Sequence, residues 1–284
     1  MPESFKQIKN RIHSIENAKK VTAALEMVSF SKLNKTEKTL AFLRQYFLKL
    51  EQVYGHLLGE AQGLTHPFFE ERSDNGKIAL CLVTSDSGLC GAYNVNIISL
   101  AEKFLQEHVK ERIVFVFVGK KGFNFFRKKG FLPLHAYLGL NGRYNQSTAD
   151  EIANKLFEIF SCRLVDEVYV AYTHFESAFI HKPTIKKLLN LKKNIPQEVN
   201  FIFEPDKEMI AERFLRHYLI FNFRIMLLEA FASEHACRVI AMRSATDNAK
   251  EMLQQLTLAR NKMRQASITQ EIMEVISTAE ALKG

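Results

Sequence analysis

Several residue types and patterns are scarce in this 284-residue sequence, and each absence excludes a class of protein. Tryptophan is absent, and the four cysteines show neither C-x-x-C spacing nor histidines at metal-ligand spacing; they are Cys81, Cys90, Cys162 and Cys237. We therefore expect reduced thiols in a cytosolic compartment and no metal site. No run of about 18 apolar residues occurs, so no membrane-spanning helix is predicted. The first residues also lack the apolar stretch of a signal peptide.

Glycine and proline are absent from two long stretches of the chain. Neither occurs between Pro2 and Gly55, nor in the 78 residues between Pro205 and Gly284. Because these two residues interrupt regular structure, their placement divides the chain into three parts. We predict a helix that begins near Pro205 and Asp206. The predicted parts are an N-terminal helix over 1–60, a compact α/β (Rossmann-like) domain over 61–205, and a C-terminal helix over 206–284.

Both terminal parts show the 3-4 apolar spacing of coiled-coil helices. The N-terminal seam consists of Phe5, Ile8, Ile12 and Ile15, and later of Leu40, Leu43, Phe47, Leu50, Tyr54 and Leu57. Between these two sets the seam is predicted to slip by one position, through Ala18, Val21, Leu25 and Val28. The C-terminal seam consists of Met242, Ala245, Ala249, Met252, Leu256, Ala259, Met263 and Ala266. The predicted fold is therefore a long antiparallel two-helix coiled coil that carries the α/β insert.

The middle part alternates short apolar runs with helical patterns. Predicted strands are Ile78–Thr84, Arg112–Val118 and Val165–Tyr172, with an added edge strand at Lys182–Leu191. Helical patterns lie around Asn94–Lys110 and Ser147–Cys162. This order predicts a small α/β sheet with mostly parallel strands.

Two turns that follow predicted strands are candidates for anion binding. The segment Thr84–Asn94 is glycine-rich and leads into a helix, as phosphate sites do, but it lacks the spacing of either common phosphate loop. The alternatives are a tight turn or an exposed contact loop. The turn Gly119–Gly122 is either an anion site at a helix start or a solvated basic turn. Cys90 has no positioned base nearby in sequence, so we interpret it as structural rather than nucleophilic.

The formal charge of +8 favours an acidic partner, which can be nucleic acid, anionic lipid or a protein surface. The basic residues of the first helix form either a solvated face or a track that faces such a partner. The polar face of the C-terminal helix is either a bearing surface that slides against a partner or simply exposed to solvent. Its basic residues are Arg238, Arg243, Arg260, Lys262 and Arg264.

Three segments then point to one family. Ile8–Lys32 contains an R-I-x-S-I-x-N stretch that leads to Met27-Val28-Ser29, and Ser85–Gly91 reads S-D-S-G-L-C-G. The segment Leu227–Leu282 contains the blocks S-E-H-A-x-R, A-T-D-N-A and R-Q-A-x-I-T-x-E in that order. Together these segments resemble the gamma subunit of F-type ATP synthases, and they lie at both ends and in the middle of the chain.

The resemblance implies a central-stalk rotor that couples ion translocation to ATP synthesis or hydrolysis. The terminal helices would turn inside a ring of alternating alpha and beta subunits, and the α/β insert would form a foot beside the epsilon subunit and the c-ring. Catalysis would belong to the ring, so no catalytic, cofactor or metal residue is expected in this chain. One copy per complex is implied, at the cytoplasmic face of a bacterial plasma membrane. The coupling ion, proton or sodium, stays open.

The resemblance also implies a set of subunit-interface residues. The shaft positions and the loop that contacts a beta subunit are Met27, Ser85, Asp86, Ser87, Gly88, Leu89, Cys90, Gly91, Arg238, Gln265, Thr269 and Glu274. Three residues depart from the family pattern, one of them being Glu26, where the family often has Lys. Ser87 stands where the family often has Arg or Gln, which weakens the expectation of a charged latch, and Phe30 replaces a residue that is usually small.

Two further hypotheses come from other functional classes. A basic coiled-coil protein that binds nucleic acid would bind duplex DNA with a steep salt dependence. A nucleotide-binding enzyme that uses the loop Ser85–Gly91 would bind nucleotide saturably as a free chain. The rotor hypothesis is favoured over the first of these because acidic residues dilute the basic ones and no basic stripe is formed.

Overall fold

The computed structural model describes residues 5–60, 67–70, 72, 76–108, 112–191 and 207–281. The two long helices are α1 (Phe5–Glu60) and α5 (Lys207–Ala281). The elements between them, in chain order, are β1 (Ile78–Val83), α2 (Tyr93–Glu107), β2 (Ile113–Val118), α3 (Lys120–Lys128), β3 (Pro133–Tyr137), α4 (Gln146–Ser161), β4 (Glu167–Phe175) and β5 (His181–Leu189), with a short 3₁₀ helix at Pro67–Phe69. The predicted helix start at Pro205 and Asp206 lies outside the described residues.

The chain divides into two compact units. A sheet unit spans residues 29–238, and a shaft unit combines the segments 1–28 and 239–284. Within the described residues, no helix is both long enough and apolar enough to cross a membrane.

The sheet unit contains five strands in the order β3-β2-β1-β4-β5. The first four run parallel to one another and β5 pairs antiparallel with β4, so the predicted mostly parallel sheet with an added edge strand is confirmed. Strand β3 was not predicted. It has only five residues, begins with a proline and includes a histidine, and therefore lacks the continuous apolar run that identifies a buried strand.

Both faces of the sheet are covered, which explains why β1 is apolar at every position. On one face Ala79, Cys81 and Val83 belong to a core that also includes buried residues of α4 and α5. On the other face Leu80 and Leu82 pack in a second core with buried residues of α2 and α3. Alternate residues of one strand therefore supply two separate cores.

Within the sheet unit, α1 and α5 run antiparallel. Tyr54 stacks on Tyr218 with ring centroids 4.3 Å apart, and Arg44, earlier in α1, reaches Glu229, later in α5. The Arg44 guanidinium donates to Glu229 Oε1 at 2.6 Å, while His174 Nδ1 of β4 lies 2.5 Å from Glu229 Oε2. Because its partners are close, the buried Glu229 carboxylate is compensated and joins both helices to the sheet.

In the shaft unit the same two helices continue through their other ends. Thr22 Oγ1 of α1 and Thr246 Oγ1 of α5 are 2.8 Å apart. Ile8 and Ile12 are buried on one helix, and Met242 and Ala249 on the other. The antiparallel coiled coil with an α/β insert is thus confirmed as the fold class.

The predicted one-position slip in the α1 seam is wrong. Val21 and Val28 are 58% and 54% exposed, and the 3-4 register continues through small hydroxyl residues instead, namely Thr22, Ser29 and Thr36. The hydroxyl of Thr22 donates to Lys19 O and that of Thr36 to Lys32 O, so each polar group is satisfied inside its own helix. One position of the predicted α5 seam also differs: Met252 is 54% exposed, while its neighbour Leu253 is half-buried.

We expect the second core to depend strongly on Phe117, which is fully buried among aromatic rings. Replacing it with alanine should lower the free energy of unfolding by about 3–5 kcal/mol, because transfer free energy and packing are both lost. Phe42→Ala is the matched control, since Phe42 is 71% exposed and its loss should change stability by less than about 1 kcal/mol. Urea unfolding of both variants measures the difference, and equal effects would contradict the core assignment.

Candidate subunit interface

The segment between β1 and α2, residues 84–92, forms a loop beside the ends of β2 and β3, and we call it the contact loop. Its base is tied to the neighbouring turn, because Thr84 N donates to Val118 O at 2.8 Å and Lys121 N donates to Ser85 O at 3.0 Å. Gly119 has φ +95°, and a Cβ there would lie 2.1 Å from Thr84 O. Only glycine fits at this crossing of two backbones.

Asp86 joins the contact loop to two other turns. Its carboxylate accepts backbone hydrogen bonds from Lys120 N at 3.1 Å, Gly139 N at 2.9 Å and Asn141 N at 2.7 Å. Gly122 N donates to Thr84 Oγ1 at 3.0 Å. The backbone N–H groups at the start of α3 therefore already have acceptors within the chain, which favours the solvated basic turn over an anion site at Gly119–Gly122.

The interior of the contact loop is held by a hydroxyl, an amide and a thiol. Ser85 N and Oγ donate to Asn94 Oδ1, and Asn94 Nδ2 donates to Cys90 Sγ at 3.1 Å. Burial raises the pKa of the Cys90 thiol, although the hydrogen bond with Ser85 acts in the opposite direction. The geometry therefore agrees with the structural interpretation of Cys90.

The exposed tip of the contact loop is formed by Ser87 and Leu89. Leu89 is 63% exposed and adopts φ 61°, a left-handed conformation that is rare for a branched residue. Gly91, two residues later, has φ 56°. These two positive φ angles turn the chain back into α2 and leave the Leu89 side chain in solvent.

Arg238 of α5 supports this tip from beneath. Its guanidinium donates to Ser87 Oγ at 3.1 Å, to Gly88 O at 3.3 Å and to Glu234 Oε1, one helical turn earlier, at 2.7 Å. Arg238 is only 8% exposed. Ser87, which departs from the family pattern, thus accepts a hydrogen bond from an arginine of its own chain.

The neighbouring residues Glu234 and His235 are buried and face the turn that contains Gly142. His235 Nε2 donates to Gly142 O at 2.8 Å, and burial lowers the pKa of His235 to about 4, so the ring is neutral at pH 7. Burial raises the pKa of Glu234, with Arg238 opposing that shift. Among the described residues, Glu234 Oε2 has no hydrogen-bond partner.

The twelve residues of the predicted interface differ in their exposure to solvent. Ser85, Cys90 and Arg238 are buried and frame the contact loop, and Asp86 and Gly88 are half-buried. The exposed positions are Met27, Ser87, Leu89, Gly91, Gln265, Thr269 and Glu274. Met27, Gln265, Thr269 and Glu274 belong to the shaft unit and the others to the sheet unit.

The supporting turn at residues 139–143 was not predicted as part of the site. Its backbone engages Asp86 through Gly139 and Asn141, and His235 through Gly142. One part of the site could have been found from the sequence: Glu234 and Arg238 are four residues apart in a helix, and this spacing places an acid and a base on one face. The turn itself carries no such signal beyond its glycines.

Comparison with known proteins gives the family. A family described as ATP synthase matches residues 4–282. The ATP synthase gamma chain of Protochlamydia amoebophila is 34% identical over 284 residues, which cover 99% of each chain. That of Alkaliphilus metalliredigens is 37% identical over 292 residues and covers 100% of each chain. This chain belongs to the ATP synthase gamma-chain family. The family confirms the function that the resemblance implied, a central-stalk rotor subunit of an F-type ATP synthase.

A solved structure supports the fold of this gamma chain. A chain of the Euglena gracilis mitochondrial ATP synthase, in a structure that includes F1 and the c-ring, matches with a TM-score of 0.67 and 17% identity, covering 98% of this chain and 94% of that one. At this identity the likeness concerns the fold alone. The two gamma-chain relatives compared above come from bacteria.

We expect Asp86→Ala to loosen the three turns that its carboxylate joins. The amides of Lys120, Gly139 and Asn141 lose a charged acceptor, so their hydrogen exchange should accelerate and the unfolding free energy should fall by about 1–3 kcal/mol. Asp247→Ala is the control, because Asp247 is exposed on the shaft unit and should leave these amides unchanged. Unchanged exchange in Asp86→Ala would refute the role given to this carboxylate.

We expect the sheet unit to lose stability as pH falls from about 6.5 to 4 because of His235. Its folded pKa, about 4, lies below the ordinary value of 6.5, so the unfolded chain binds more protons in this window. The loss for the buried ring is on the order of 3 kcal/mol, at about 1.4 kcal/mol per pKa unit. The raised pKa of Glu234 acts in the opposite sense above 4.5, where stability falls as pH rises.

Urea unfolding of the wild type and of His235→Gln across this pH range separates the two groups. The variant should have a smaller slope of stability against pH between 6.5 and 4, because glutamine does not titrate. An identical slope would show that His235 does not titrate as described.

Proposed function

We propose that this chain transmits rotation inside the synthase without a catalytic site of its own. The shaft unit turns within a ring of alpha and beta subunits, and the contact loop touches a beta subunit. The α/β foot lies beside the epsilon subunit and the c-ring, at the cytoplasmic face of a bacterial membrane, with one copy per complex. The three-part division into 1–60, 61–205 and 206–284 then separates the shaft helices from the foot.

The observation that carries this proposal is the exposure of the last turns of α5. From Gln265 onward every described side chain is exposed, including large apolar ones: Ile268, Ile272, Met273, Val275 and Ile276. Their spacing places several on one side of the helix. A contiguous apolar surface of this kind favours an interface with another chain, and an enclosing ring provides one.

The shape of the contact loop supports a passing contact. Asp86 and Arg238 fix the backbone that presents the exposed tip residue, Leu89. The loop is therefore already ordered before it meets another subunit. Preorganised contacts have a lower entropic cost on binding. Ser87 uses its hydroxyl within the chain, so the loop contacts its partner mainly through shape and the exposed leucine.

The proposal predicts that the free chain hydrolyses no ATP, whereas mixing it with cognate alpha and beta subunits yields a complex with sustained turnover. Ile272→Ser combined with Ile276→Ser should weaken assembly at least tenfold, because burying each isoleucine contributes about 1.5–3 kcal/mol. Gln254→Ser with Gln255→Ser is the control in the same helix, and it should assemble normally.

Gel filtration and ATPase turnover measure both effects. Robust turnover by the free chain, or failure of the intact chain to assemble with its cognate subunits, would refute the proposed function. Equal assembly of the isoleucine and glutamine variants would refute the enclosure of this segment. The size of the change after removal of residues 265–284 measures how much the segment contributes.

A further inference from the structure

The two edges of the sheet differ in how they are protected. The β5 edge carries Lys182, Pro183 and Lys186, and both charge and proline discourage the addition of another strand. Lys182 is also held by Glu176, with Nζ 2.6 Å from Oε1. This edge therefore has the features of a strand that stays exposed.

The β3 edge is short and its register with β2 shifts near its start, but it carries no charge. Leu132, Leu134, Ala136 and Leu138 alternate along the strand and its flanks, and all four are exposed, with Leu132 at 83% and Leu138 at 40%. No charged residue lies between Phe131 and Asn141. Pro133 interrupts the edge only at the first strand position. An apolar, uncharged edge strand readily accepts a further strand.

The main chain of β3 is open on its outer side. Tyr137 O accepts a hydrogen bond from Gly119 N at 2.9 Å, so Tyr137 faces β2. Because the backbone groups of successive strand residues point in opposite directions, those of Ala136 and the N–H of Leu138 face away from β2. This alternation is followed only from His135 onward, since the register with β2 shifts between Pro133 and His135. In the part of the chain that the structure describes, no strand pairs with this side.

The surroundings of β3 are strongly basic. Residues 119–149 contain no Asp or Glu, so this segment alone contributes +6 to the formal charge of +8. All six basic side chains are exposed: Lys120, Lys121, Arg127, Lys128, Lys129 and Arg143.

These charges lie at both ends of the strand. Lys120 N and Gly139 N donate to the same oxygen of Asp86, which places the start of α3 beside the end of β3. The end of α3, with Arg127–Lys129, directly precedes the strand, and Phe131 N donates to Phe126 O at 3.1 Å. An apolar strip about five residues long is thus bounded by cations on both sides.

We propose that the outer edge of β3 binds an extended acidic segment of another protein chain by strand addition. The backbone of the segment pairs with Ala136 and Leu138, its alternate apolar side chains pack on the leucines, and its carboxylates face the flanking lysines and arginines. This inference depends on the proposed function in one respect: the partner chain is taken to be another subunit of the assembled synthase.

Other occupants fit the edge less well. A second copy of this chain would bring these basic side chains, of which Lys129 pairs with Glu102, against the same set, and like charges oppose each other across an interface. An anionic lipid surface would neutralise the cations, but it would leave the outward backbone groups of β3 without partners. An acidic strand satisfies the charge, the apolar strip and the backbone together.

Hydrogen exchange of the complete synthase, purified through a tag on this chain, tests the inference against the free chain. In the complex the amides of Ala136 and Leu138 should exchange at least tenfold more slowly, whereas those of β5 should change little. A photoreactive phenylalanine analogue at position 132 should cross-link to an acidic segment of another subunit. Equal exchange in an intact, active complex would overturn the inference while leaving the proposed function in place.

Three variants sharpen the test. Ala136→Pro removes one outward N–H, and Lys128→Glu reverses one flanking charge, so both should reduce the protection of Leu138 in the complex at least threefold. Lys103→Glu, on the exposed side of α2, is the matched charge control and should preserve it. Circular dichroism of each free variant verifies folding. Cross-links to a second copy of this chain, or protection produced by phosphatidylglycerol vesicles alone, would also overturn the inference.

Discussion

Helix α5 must satisfy two environments with one unbroken run of residues, and the rest of the structure depends on this constraint. Residues such as Leu219 and Phe223 are fully buried in the core of the sheet unit, whereas the described positions after Gln265 are exposed. Within the sheet unit, the packing of α5 on the sheet fixes which side chains of this helix reach the contact loop.

The same constraint explains the construction of the contact loop. Arg238 lies at the end of the segment of α5 that packs in the sheet unit, and from there it reaches the backbone of Gly88. Glu234 and His235, one turn earlier, engage Arg238 and Gly142. The loop is therefore positioned by the helix as well as by the strand that precedes it. Any shift of this part of α5 must move the loop with it or break these contacts.

Much of this fold was predictable from simple patterns, and the failures have physical causes. The absence of glycine and proline identified both long helices, and the apolar runs identified four of the five strands. A search for apolar periodicity misses the true α1 seam, because Thr22, Ser29 and Thr36 are polar residues, of which Thr22 and Thr36 satisfy their hydroxyls within the helix. It also misses β3, whose edge position removes the need for a continuous apolar run. At the site, the sequence identified the contact loop but could not show that Arg238 supports it from inside the chain.

The hydroxyl-lined part of the α1 seam has a mechanical consequence. Threonine and serine bury less apolar surface than leucine, so each turn of α1 between Thr22 and Thr36 contributes less packing energy to the helix pair than the aromatic turns around Tyr54 do. We therefore expect the helix pair to yield to twisting first in the hydroxyl-lined turns and last in the aromatic turns around Tyr54.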